Sequence, residues 1–132
     1  MKGFSRRGKL IIITITEDVM MREFKQLTSM IDIDQFIEQN QLSFIYISKP
    51  GCSVCHGLLP QVQSLMEKYP KIQLGHVDAD DVEAVAGRFS IFTVPVLLLF
   101  VDGKEYVREA RIVHMDQFDE KINKIYENIV EK

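Results

Sequence analysis

Only two cysteines occur among the 132 residues, and both lie in one short stretch, Cys52-Ser53-Val54-Cys55. So sparse a supply excludes a small domain built on a disulfide framework. A bridge across two intervening residues closes a short loop and adds little chain-entropy stabilisation, so a structural staple is a poor reason for the pair. A second Cys-x-x-Cys is missing too, which leaves a zinc or iron–sulfur site short of ligands; no metal is expected. No apolar run approaches the roughly 18 residues of a membrane span, so no membrane association is expected. There is no excess of basic residues either. The net charge of −3 and the lack of a basic stripe exclude nucleic acid as an expected partner. What remains, 46% hydrophobic and 27% charged, is ordinary globular composition, in a chain long enough for one domain.

The N-terminus carries Lys2, Arg6, Arg7 and Lys9 without an acid, followed by Leu10-Ile11-Ile12-Ile13-Thr14-Ile15-Thr16. Basic-then-apolar order resembles an export signal. The apolar stretch is too short, however, threonines interrupt it, and no small-x-small cleavage site follows. Its β-branched residues suit a short strand better. Residues 1–20 are therefore expected to be an extra tail or edge strand, one that translation from Met20 or Met21 would omit. Residues 21–132 are expected to form the domain, in a cytoplasmic, monomeric protein.

Hydrophobic periodicity organises the remainder. Phe24 to Leu27 suits a short strand, and Ile33, Phe36 and Ile37 share one face of a short helix. Leu42 to Ser48 is a mostly apolar strand, of the kind found near the middle of a sheet covered on both faces. Leu58, Leu59, Val62, Leu65, Met66 and Tyr69 then recur at helical spacing, with Pro60 inside the run and Pro70 at its end. Ile72 to Val77 predicts a strand and Val82 to Phe89 a short helix. Val96 to Val101 is the strongest strand signal in the chain, and Asp102-Gly103 turns it into a hairpin with Glu105 to Ala110. Phe118, Ile122, Ile125, Tyr126 and Ile129 line a terminal helix. The alternation predicts an α/β fold: a mixed sheet flanked by helices on both faces, with an antiparallel edge supplied by the hairpin.

That order gives the cysteine pair its meaning. It follows a central strand and opens a helix, at the carboxyl end of the strand, where α/β folds place their sites. Cys52 falls in the first helical turn, where free backbone amides and the positive end of the helix dipole favour the nucleophilic thiolate. Cys55, one turn on and closer to the core, is placed to resolve a mixed disulfide. His56 is a solvated helical side chain unless it approaches Cys52, whose thiolate it would then favour. Cys52-x-x-Cys55-His56 also matches the c-type haem attachment string, but the α/β pattern and the missing export signal argue against haem. Two buried small hydrophobes would be the bland explanation of the pair; the Pro50-Gly51 approach and the helix start argue for exposure of the first.

Taken together, Lys49-Pro50-Gly51-Cys52-Ser53-Val54-Cys55, the helix with Pro60, Thr93-Val94-Pro95 and the Leu97 to Lys104 hairpin resemble the thioredoxin family, over about residues 22–130. The resemblance implies a thioredoxin-like fold, Cys52 as nucleophile and Cys55 as resolving thiol. It implies no tightly bound cofactor, only a redox-active Cys52–Cys55 disulfide. It makes Pro95 the cis-proline beside that disulfide and Val94 the residue whose backbone pairs with an extended substrate.

Departures from the family pattern are equally specific. Tryptophan is absent, Gly51 precedes the pair, and Ser53-Val54 replaces Gly-Pro within it. Tyr46 stands where the family buries an acid, His76 where a lysine neighbours it, and Arg111 where a glycine precedes the last helix. Tyrosine, with an ordinary pKa near 10, is a poor base at neutral pH, whereas histidine has a suitable one. A divergent thioredoxin-like disulfide reductase is the expectation, with Gly51, Ser53, Val54, His56, Tyr46, His76, Val94 and Pro95 as supporting or substrate-binding residues. Its partners would be a protein disulfide and an external thiol or reductase, since the chain has no nucleotide or flavin motif. The alternative is a peptide-binding or redox-regulated adaptor on the same scaffold.

Overall fold

A computed structural model describes residues 22–130; the expectations for residues 1–20 lie outside them. Nine elements follow in order: β1 (Lys25–Gln26), α1 (Met30–Gln39), β2 (Leu42–Ser48), α2 (Ser53–Met66), β3 (Gln73–Asp78), α3 (Ala84–Phe89), β4 (Val96–Val101), β5 (Lys104–Ala110) and α4 (Met115–Ile129). The strands form one sheet in the order β1-β3-β2-β4-β5. β2 pairs parallel with β3 and antiparallel with β4, so the most apolar early strand occupies the centre.

Alternation along β2 and β4 sorts the core into two halves. Phe44, Tyr46, Leu97 and Leu99 face one side, where they meet Val62 and Met66 of α2 and Phe118 and Ile122 of α4. Ile45, Ile47, Leu98 and Phe100 face the other, against Ile33 and Phe36 of α1 and Val85 and Phe89 of α3. Every residue of β2 and of β4 is buried, as a strand covered on both faces requires.

Local chemistry accounts for the element ends. Ser29 caps α1 by accepting from the Asp32 amide at 3.1 Å. Asp102 (φ 51°) and Gly103 (φ 85°) both take positive φ in the β4–β5 turn, which Asp-Gly accommodates readily. Arg22 gathers the carbonyls of Met66, Tyr69 and Ile72 at 3.1, 2.9 and 2.7 Å, tying the start of the described chain to the end of α2.

Several boundaries differ from the sequence expectation: β3 begins at Gln73 and ends at Asp78, α3 begins only at Ala84, β5 begins at Lys104, and three further differences have visible causes. β1 shrinks from Phe24–Leu27 to two residues, because Phe24 packs its ring on Phe44 and Tyr46 rather than extending the ladder. The helical pattern runs to Tyr69, but α2 stops at Met66. Beyond it the amides of Lys68 and Tyr69 bond three residues back, in tight turns that still bury Tyr69. Cys52 is the cap of α2, not a member of its first turn.

Candidate active site

β2 delivers the chain to the site at its carboxyl end, and Lys49-Pro50-Gly51 turns it into α2. The Cys52 amide donates to the Lys49 carbonyl at 3.1 Å, closing that turn. Cys52 then caps the helix with its sulfur, which accepts from the Cys55 amide at 3.1 Å. A disulfide joins Cys52 to Cys55, with their Cα atoms 5.3 Å apart. The two sulfurs have unequal surroundings: Cys52 is half-buried at the rim, whereas Cys55 is 1% exposed. Gly51 and Ser53 are exposed, and Val54 turns its side chain to solvent.

Beside Cys55 lies a cavity of about 240 Å³, whose lining includes Tyr46, Ser48, Cys55, His56, His76 and Asp78. Tyr46 is buried in β2 on the face that α2 covers, and its hydroxyl donates to the Cys55 carbonyl at 2.5 Å. Burial pushes its phenol up to about 12, so Tyr46 is a hydrogen-bond donor and not a base near neutrality. His76, its register partner on β3, bonds elsewhere: Nε2 to the Ser48 hydroxyl and Nδ1 to the Gln26 side-chain oxygen, each at 2.7 Å. Burial holds the imidazole below its ordinary value, against an opposing pull from Asp78, and His56 lowers it further. The His56 ring donates from Nε2 to the Pro50 carbonyl at 2.8 Å, so this side chain is attached to the loop leading into the pair.

A second cavity, of about 300 Å³, lies among the connections that follow β2 and β3 and the loop that precedes β4. Lys49, Ala79 and Asp80 contribute from one side and Ile91, Phe92, Thr93 and Val94 from the other. The Val94–Pro95 peptide bond is cis. Val94 is half-buried, Pro95 is buried, and Phe92 is 91% exposed beside them. Arg111 holds this loop by donating its amide to the Pro95 carbonyl at 2.9 Å. It does so at φ 65°, in the region that glycine occupies most freely.

A protein-family model, Thioredoxin, matches residues 25–126. The chain belongs to the thioredoxin family. Among thioredoxin relatives, it is 56% identical over 106 residues to thioredoxin-like protein YdfQ of Bacillus subtilis (strain 168), covering 80% of this chain and 95% of that one. It is 28% identical over 89 residues to Thioredoxin-1 of Saccharomyces cerevisiae, covering 67% and 84%. Two solved thioredoxins share the fold. A mutant thioredoxin from Halobacterium salinarum NRC-1 aligns with a TM-score of 0.67 at 20% identity, covering 80% of this chain and 89% of that one. The Fasciola hepatica protein aligns with a TM-score of 0.68 at 22% identity, covering 76% and 98%.

Within that thioredoxin fold, the structure brings Tyr46, His56 and His76 to one cavity with Cys55, and Val94 to a neighbouring one. Sequence reasoning missed Ser48, Gln26 and Phe92. A serine ending an apolar strand gave a faint signal for the first. Gln26 had none, because its contact spans 50 residues. Among the described residues, no group of three or more His, Cys, Asp or Glu side chains is placed to hold a metal, and no helix is long and apolar enough to cross a membrane.

Proposed function

We propose that this protein is a thiol–disulfide oxidoreductase that reduces protein disulfides, with Cys52 attacking and Cys55 resolving. The unequal exposure of two bonded sulfurs carries the reading: one is reachable at a helix N-terminus and the other is enclosed one turn later. In the reduced protein the α2 amides and the helix dipole favour the Cys52 thiolate. That thiolate attacks one substrate sulfur and expels the other as a thiolate, leaving a mixed disulfide. Cys55 then loses its proton and attacks Cys52, which releases the second substrate thiol and closes the Cys52–Cys55 bond. Two electrons pass from the protein dithiol to the substrate, and an external thiol or reductase restores them.

Substrate recognition belongs to the turn into α2 and the loop before β4. An extended substrate segment running past Val94, next to the cis Pro95, would bring its disulfide to Cys52. Gly51, without a side chain, leaves the approach open, and Ser53, Val54 and Phe92 supply its outer contacts. His56 steadies the Pro50 carbonyl and with it the turn into Cys52. Residues 21–132 suffice for this chemistry as a cytoplasmic monomer. The exposed apolar side chains of Phe92 and Val54 also favour a second reading, a redox-regulated adaptor that holds an extended peptide without turnover.

Equilibrium titration against glutathione or a dithiol buffer, with mass spectrometry of the products, tests the proposal. Reversible formation of an intramolecular Cys52–Cys55 bond, with turnover of a protein disulfide, is the expected result. Peptide binding by the double Cys→Ser variant, with no turnover by the native chain, would support the adaptor instead.

A further inference from the structure

The hydrogen bonds around His76 fix its chemistry. A side-chain amide oxygen can only accept, so the bond to Gln26 requires the hydrogen on Nδ1. Nε2 is then an unprotonated acceptor, and the Ser48 hydroxyl, 2.7 Å away, donates to it. Ser48 is 6% exposed, and its oxygen keeps acceptor capacity while its own hydrogen points to the imidazole. Ser48, His76 and Cys55 line the same cavity, which is large enough for a bridging water. Tyr46 is no base for this proton: its phenol spends its own hydrogen on the Cys55 carbonyl, and burial keeps it neutral well above pH 7. The other titratable groups lining the cavity are Asp78 on the same strand as His76, His56 from α2 and Lys49 from the loop after β2; β1 contributes Gln26.

We infer that Ser48 and His76, oriented by Gln26, form a relay that takes the proton from Cys55 during resolution of the mixed disulfide. The inference rests on the exchange chemistry proposed above. The Cys55 S–H proton passes, directly or across a cavity water, to Ser48 Oγ as the Ser48 proton moves to His76 Nε2. The Cys55 thiolate then attacks Cys52 Sγ, the bond from Cys52 to the substrate breaks, and the departing substrate sulfur takes up a proton. That proton is the one His76 gives up, passed back through Ser48 and the cavity water, so none is gained or lost overall. No group beyond the protein dithiol and the substrate disulfide gains or loses electrons. His76 acts through Ser48 and is a positioning residue for the proton.

A single-turnover reaction of the reduced full-length protein with dithiobis-nitrobenzoate separates the steps, because each releases one coloured thiolate. The first phase reports attack by Cys52 and the second reports resolution by Cys55. His76→Gln is expected to slow the second phase about tenfold or more near neutral pH, with the first phase unchanged. It is also expected to erase an inflection below the ordinary histidine range, leaving a rate that climbs only towards the thiol pKa of about 8.5. Ser48→Ala should behave alike and Ser48→Thr should restore the fast phase, so the test survives if the histidine variant misfolds. Asp78→Asn should keep the inflection and move it to lower pH. Second phases of native speed and pH profile in both His76→Gln and Ser48→Ala would overturn the relay. So would loss of the inflection in Asp78→Asn alone. Absence of both phases in the native protein would instead defeat the oxidoreductase reading itself.

Discussion

The Tyr46 hydroxyl donates to the main-chain carbonyl of Cys55 at 2.5 Å, bonding the central strand to the helical turn that holds the enclosed sulfur. A tyrosine at this depth does positional work where a carboxylate would do proton chemistry. Tyr46→Phe removes the donor without opening a cavity. It should cost about 1–2 kcal/mol, read as a lower urea midpoint. Because the phenol stays neutral throughout, the pH profile of disulfide exchange near neutrality should be unchanged.

His76 makes stability depend on pH in a defined direction. Its proton affinity is lowered in the folded chain, by burial first, so the unfolded state binds more protons once the pH falls below the ordinary value of 6.5. The contribution is complete above that value and is lost progressively as the pH falls from it through the lower folded-state value. Urea midpoints measured from about pH 7.5 down to about pH 5 should therefore decline more steeply for the native chain than for His76→Gln.

Gly75 on β3 has no room for a side chain. An added Cβ would stand 2.7 Å from Leu27 Cδ1 and 3.0 Å from Phe36 Cε2, and the Phe36 ring is buried against β3 and cannot swing clear. Gly75→Ala should destabilise by about 1–3 kcal/mol in denaturant unfolding, as overpacking does.

Phe92 makes the opposite case. At 91% exposure it contributes little to the core, and Phe92→Ala should change stability by less than about 0.5 kcal/mol. As an outer contact for substrate it should matter in binding. The variant should raise KM for a protein disulfide while leaving the rate with a small aromatic disulfide near native.

The parts of this molecule governed by local pattern were legible in the sequence. The mostly apolar run Leu42 to Ser48 and the unbroken one Val96 to Val101 marked the two strands buried on both faces, and the strand-to-helix change after Gly51 located the cysteines. Asp102-Gly103 announced its own turn. Resemblance singled out Tyr46 and His76, but not what they touch. Tyr46 reaches a carbonyl nine residues on, while His76 reaches Ser48 and Gln26, 28 and 50 residues back. Those contacts depend on sheet register and on how α2 seats against β2, neither of which periodicity encodes. Phe92 was obscure for a different reason: a large apolar residue in a loop reads equally well as buried or exposed, and only the fold decides.

The exchange reaction is tested most directly by mass spectrometry of the Cys55→Ser variant after reaction with a protein disulfide. A stable mixed disulfide through Cys52 is the expected result, with no such species in Cys52→Ser and, in the native chain, a closed Cys52–Cys55 bond with reduced substrate. Equal substrate reduction by the native protein and both variants would contradict it.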